Sequence, residues 1–263
     1  MKPFLTCLTL LLGATTAAAA PPSRPVHAAS APWPAGVALP AGDPIDEAYR
    51  QEFGTCDRAD RFHGHKVHGC RNDPNAVTAL RRLPGKAVAY VAKLAVDLDG
   101  SPFACSPAHG RMDQCPTSLM LPDGKGGETP VDADKIPYVV IPWEGPRDEQ
   151  GRFTQKTGVD VGDFGVVIAH GRTVPVIVAD TGPFEKLGEG SLALHRALGR
   201  ELCVARTDAG TCRRVIERME SIGGDVTTVL FPHTARKGLT PATIAQVVRT
   251  EGLRHWQALQ KRG

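Results

Sequence analysis

The chain has 263 residues, 41% hydrophobic and 22% charged, with a formal net charge of +3. That length allows one sizeable core or two small ones. Past the first twenty residues no stretch approaches the roughly 20 consecutive apolar residues a membrane span needs, so no membrane span is expected. The charge is unevenly spread: Tyr90 to Gly190 carries 15 Asp and Glu against 9 Lys and Arg, the remainder 13 against 22. An acidic central region draws a cationic substrate if its charges converge in a cleft, and is otherwise a solvated surface.

Residues 1–20 read as a secretory signal: Lys2, an apolar run through Leu12, then small residues suited to cleavage between Ala18 and Ala20. A secreted or periplasmic location follows as an expectation. Without Cys7, six cysteines remain, and an even number in an exported chain favours disulfides. Sequence proximity suggests 56 with 70, 105 with 115 and 203 with 212. Residues 21–44 hold seven prolines among alanines and are expected to be a linker. The folded domain is expected over residues 45–239, opening with a short helix between Asp46 and Phe53.

Residues 54–75 read as a loop bracketed by Cys56 and Cys70. His63, His65 and His68 inside it have neither helical nor zinc-finger spacing, so a solvated loop is expected instead of a metal site. From Leu80 to Asp97 the apolar pattern fits helix and strand alike. Asp97-Leu98-Asp99-Gly100 follows, and no glutamate closes a calcium loop, which leaves a polar turn or substrate-binding carboxylates. Residues 101–135 are rich in Pro, Gly, Ser and Asp and suggest a long ordered loop or cleft wall.

Ile136 to Pro142 is a short buried strand bounded by prolines. Trp143 beyond it is placed either to stack on a sugar face or to sit in the core or rim. Phe164 to Ala169 and Val174 to Ala179 form a hairpin turning at His170-Gly171, with Pro175 marking an unpaired side or a bulge. The second strand delivers Asp180, followed by Thr181-Gly182-Pro183. Glu189 lies between Gly188 and Gly190, and Ser191 caps a helix with Leu194, Ala197 and Leu198 on its apolar stripe. Cys203 to Cys212 reads as a loop, Val215 to Ile222 as a helix and Val226 to Phe231 as the last strand. Residues 240–263 form a C-terminal helix with Ile244, Val247 and Val248 on one face. Short strands with Gly and Pro turns suggest a mainly β barrel decorated by loops.

Two carboxylates presented by different elements around one cleft are what glycoside hydrolysis needs: one donates a proton to the leaving oxygen, the other attacks or activates water. Asp180 and Glu189 are the candidate catalytic pair. The bland alternatives are a turn cap for Asp180 and a helix-terminus charge for Glu189. Ser191 and His195 share a helix face, but no nucleophile elbow surrounds Ser191.

At these residues the sequence resembles the fungal-type chitosanases of glycoside hydrolase family 75. The resemblance runs in order through Asp97-Leu98-Asp99-Gly100, Pro137 to Pro142, Val161 to Val167, Asp180-Thr181-Gly182-Pro183, Gly188-Glu189-Gly190-Ser191 and Val226 to Phe231. It implies a double-psi β-barrel and endo-acting hydrolysis of β-1,4-linked glucosamine polymer (chitosan) with inversion. Asp180 would then be the general base and Glu189 the general acid. Asp97 and Asp99 would be substrate contacts meeting ammonium groups; Trp143 at its strand end and Thr181 next to Asp180 are further candidate substrate contacts. The expected protein is a monomer whose partner is a polysaccharide, with no nucleic acid, metal or cofactor. The same stretch also resembles double-psi barrel lytic transglycosylases of peptidoglycan, which need Asp180 alone. A third class, a carbohydrate-binding barrel without catalysis, is poorly supplied with aromatics at three tryptophans and three tyrosines.

Overall fold

In this computed structural model the described residues are 33–53, 61–62, 65–66, 77–109, 115–142, 152–182, 186–208, 210–215 and 222–262. Trp143, the Cys56 and Cys70 pair, and the side chains of His63, His65 and His68 lie outside them.

The Leu80 to Asp97 ambiguity resolves as strand. Ala79–Arg82 pairs antiparallel with β1, Val88–Asp97, all ten of whose residues are buried. Both faces of β1 read apolar because both are covered. Val88, Tyr90, Ala92 and Leu94 enter the main core, while Ala89 packs with Leu83, Val166, Val229 and Leu259 outside it. Five further strands join it: β2 (Tyr138–Pro142), β3 (Phe164–Ala169), β4 (Arg172–Gly182), β5 (Glu189–Ser191) and β6 (Ile222–Phe231).

Their order is β1-β5-β2-β4-β3-β6, and β6 returns to β1, which closes the sheet. The pairs β4–β2 and β5–β1 are parallel, and the other four are antiparallel. The protein is thus mainly β, a six-stranded closed barrel of the expected double-psi kind with no free edge in its core. The barrel is filled by the apolar residues that made these strands look buried on both faces.

Local chemistry explains the joints. His170 and Gly171 both take positive φ (50° and 70°), as a tight hairpin turn requires. Pro175 pairs with Val166 on β3 and lies before the point where β4 meets β2, so its missing N–H costs the ladder nothing. Helix α1 (Glu47–Glu52) is capped by Asp46, whose carboxylate accepts from Tyr49 N. Helices α2 (Arg152–Thr157) and α3 (Leu192–Ala197) follow, α3 capped by Ser191 through Leu194 N. Helix α4 (Ile244–Gln260) packs on β3 and β4, its buried Glu251 ion-paired with Arg236 and Arg254. Asp163, one of the aspartates in the family-like motifs, accepts from four backbone N–H groups, those of Asp160, His233, Thr234 and Ala235. Its role is to hold the turn after β6.

Three expectations change. Trp33, Val37 and Leu39 pack against the outer core, and Asp43–Pro44 pairs with Ala79–Arg82, so the Pro-rich stretch is anchored from residue 33 onward. Cys203–Arg206 and Cys212–Val215 form an antiparallel ribbon, not a loop. Val215 and Ile222, the two ends of the expected helix, are both strand residues, and 216–221 between them lie outside the described residues. Disulfides join Cys105 to Cys115 and Cys203 to Cys212, as sequence proximity suggested. Among the described residues no helix is long and apolar enough to cross a membrane.

Candidate active site

Asp180 is re-aimed by a break in its strand. Val178 faces Val139 and Asp180 faces Val140, so Ala179 is one residue too many on β4. Such a bulge bends the strand and turns the next side chain. The carbonyl of Ala179 accepts from Leu119 N at 2.8 Å, which ties the 115–121 segment to the bulge. That tie brings Ser118 to the carboxylate. Asp180 Oδ1 accepts from Ser118 N (2.8 Å), Ser118 Oγ (2.7 Å) and Thr181 N (2.8 Å).

Glu189 reaches the same end of the barrel from β5, whose register sets Glu189 beside Ala95 and Ser191 beside Asp97. Gly188 makes this possible: its φ is +84°, and a Cβ there would stand 2.0 Å from the Lys93 carbonyl. A Cβ on Gly182 would lie 3.3 Å from Glu189 Oε2, so the glutamate carboxylate lies over the end of β4, two residues past Asp180. Lys186 Nζ is 3.6 Å from Glu189 Oε1.

Asp97 and Asp99 join them. One carboxylate oxygen each from Asp97, Asp99 and Asp180 lies within 4.8 Å of the others, and all three residues are buried. This is the one grouping among the described residues compact enough to share a cation. Asp97 Oδ1 accepts from Asp99 N at 2.9 Å, Asp99 Oδ1 from Cys115 N at 2.8 Å, and the Tyr138 hydroxyl donates to the Asp99 carbonyl at 2.8 Å. Burial, then the charges of Glu189 and Asp180, hold the Asp97 carboxyl well above the usual carboxylate range. Burial also raises Asp180, against the pull of the hydrogen bonds from Ser118 and Thr181 and of its side-chain contact with Asp99.

The structure therefore brings four predicted residues, Asp97, Asp99, Asp180 and Glu189, to one end of the barrel, with half-buried Thr181 beside them. Thr181 Oγ1 is 2.7 Å from Ser118 Oγ, so it belongs to the support of Asp180. Ser118 and Tyr138 were missed: one sits in a segment read only as a cleft wall, the other in a motif read as a strand. Ser191 and His195 are structural. Ser191 Oγ bonds Ile136 O, Tyr138 N and Leu194 N, and fully buried His195 contacts Ala95 O through Nε2 at 3.1 Å. A scan of protein-family models and a search of curated proteins find nothing that matches this chain.

Proposed function

We propose that this protein is an exported glycoside hydrolase that cleaves β-1,4-linked glucosamine polymer with inversion, Asp180 acting as general base and Glu189 as general acid. The observation that carries this reading is the hydrogen-bond supply of Asp180. Three donors converge on its Oδ1. A carboxylate so supplied is an ionised acceptor. Its burial makes it more basic than an ordinary aspartate, as a base that must deprotonate water requires. Glu189 comes from a different strand and overhangs the end of the strand that carries Asp180, a placement that suits a proton donor to the leaving oxygen.

In the proposed step, water held by Asp180 attacks the anomeric carbon as Glu189 protonates the departing oxygen; the C–O bond breaks and Asp180 retains the water's proton. Inversion leaves room for that water between carboxyl groups about 6.5–9.5 Å apart. The acidic cluster behind Asp180 and the net negative charge of the central region suit a polycationic chain. The two disulfides suit an oxidising compartment.

One observation favours a second reading. Glu189 is within ion-pair distance of Lys186, the position of a structural carboxylate, and a lytic transglycosylase would use Asp180 alone. Paired variants separate the two. Under the hydrolase reading both Asp180→Asn and Glu189→Gln lower chitosan hydrolysis by about 100-fold or more with the fold intact by circular dichroism. A Glu189→Gln variant with near wild-type turnover would falsify the two-carboxylate mechanism.

A further inference from the structure

The buried acid behind the base poses a donor-counting problem. Asp97 is 5% exposed; its Oδ1 accepts from Asp99 N, and its Oδ2 is buried with no donor directed at it. The Tyr138 hydroxyl lies beside the Asp97 side chain, yet its single proton is committed to the Asp99 carbonyl at 2.8 Å, so it leaves Oδ2 unsatisfied. A phenol has one proton to give and can accept another. Oδ2 can therefore gain a partner on this side only by carrying the proton itself, with the phenol oxygen as acceptor.

The surroundings agree. The titratable groups facing Asp97 are Asp99 on its own turn, Asp180 from β4, Glu189 from β5 and Tyr138 from β2. Three are acids, and the Lys186 ammonium beside them is directed at Glu189. His195 of α3, which bonds Ala95 O near this strand end, is pushed down to about 4 by burial and brings no positive charge. An uncompensated buried anion is strongly disfavoured here, and protonation removes that penalty.

We propose that Asp97 is a positioning residue held as a neutral carboxylic acid, which grips the Asp99 peptide from both sides and so presents the Asp99 side chain to the catalytic base. The grip on the N–H is direct, and the grip on the C=O runs through Tyr138. This role rests on the hydrolase reading for its catalytic meaning, and it replaces the expectation that Asp97 meets a substrate ammonium group as an anion. A neutral acid that both accepts and donates has a near-isosteric stand-in in asparagine, whose oxygen accepts and whose amide donates.

The test combines kinetics with direct observation of the proton. Asp97→Asn keeps kcat and KM on chitosan within about threefold at pH 6–7, because both hydrogen bonds survive. Asp97→Leu and Tyr138→Phe break the grip, and kcat falls about tenfold or more with KM little changed. In wild-type protein labelled at aspartate carboxyl carbons, one resonance keeps the protonated-acid shift at pH 7 and is missing from Asp97→Asn. The inference is overturned if no aspartate carboxyl is protonated at pH 7. It is equally overturned if Asp97→Asn raises KM tenfold or more at unchanged kcat, the mark of a lost ion contact to substrate. Because the resonance needs no substrate, a protein that carries it but leaves chitosan intact refutes the hydrolase reading and leaves the positioning role standing.

Discussion

Replacing Ser118 with alanine isolates what holds Asp180 ionised. The hydroxyl donates to Asp180 Oδ1 at 2.7 Å, while the Ser118 and Thr181 backbone N–H groups, both at 2.8 Å, remain as donors to the same oxygen. A hydrogen bond to a charged acceptor contributes about 1.5–3 kcal/mol, and 1.36 kcal/mol corresponds to one pKa unit. With two donors to the same oxygen retained, the lower end applies, a rise of about one unit in the Asp180 carboxyl. The base works only when ionised, so the acid limb of kcat/KM against pH moves up by about one unit, and the plateau above it is little changed. Linkage gives a second readout. The folded carboxyl already lies above its ordinary 3.8, so the native state binds more protons than the unfolded state in that window. Stability is therefore present at low pH and falls as pH rises through the folded value, and Ser118→Ala deepens that fall. An acid limb that stays in place in a well-folded Ser118→Ala protein refutes the donor account of Asp180.

Two other perturbations address the frame of the site. Gly188→Ala must shift the backbone before Glu189, given its positive φ and the 2.0 Å approach of a Cβ to Lys93 O; a loss of roughly 2 kcal/mol or more in urea unfolding and a collapse of kcat are expected, and a neutral variant would contradict the packing. His195, held down to about 4 against an ordinary 6.5, stays neutral in the folded state where the unfolded chain takes up a proton. Its contribution is complete above pH 6.5 and is lost as pH falls to about 4, a decline of about 3 kcal/mol that urea melts at pH 7.5, 5.5 and 4.5 should show and that His195→Gln should flatten.

The sequence carried the two ends of the chemistry but not the link between them. Asp180 and Glu189 were legible because acids beside glycines at the ends of apolar runs stand out; in the structure one sits at a bulge near the end of β4 and the other opens β5 after Gly188. Asp97 and Asp99 were legible as a pair of acids before a glycine; their burial was not, because burial depends on the 115–121 segment folding over them. Ser118 is 62 positions from Asp180, and the Leu119 to Ala179 hydrogen bond at the bulge that helps bring them together is not visible in the sequence. Tyr138 looked like an ordinary core aromatic, since a hydroxyl's partner is invisible until the neighbouring strand is placed. The β1 ambiguity had a similar origin: a strand covered on both faces loses the alternation that separates it from a helix. The Cys203 to Cys212 segment hid its ribbon behind arginines at exposed strand positions.

The most direct measurement is product analysis after the mature protein is incubated separately with chitosan and with peptidoglycan, using mass spectrometry for composition and early-time proton NMR for the anomeric centre. The account predicts reducing glucosamine oligomers from chitosan that appear first as the α-anomer, with each product pair heavier by one water than the chain it came from. Anhydro-muropeptides from peptidoglycan, or no product from either polymer, would contradict it.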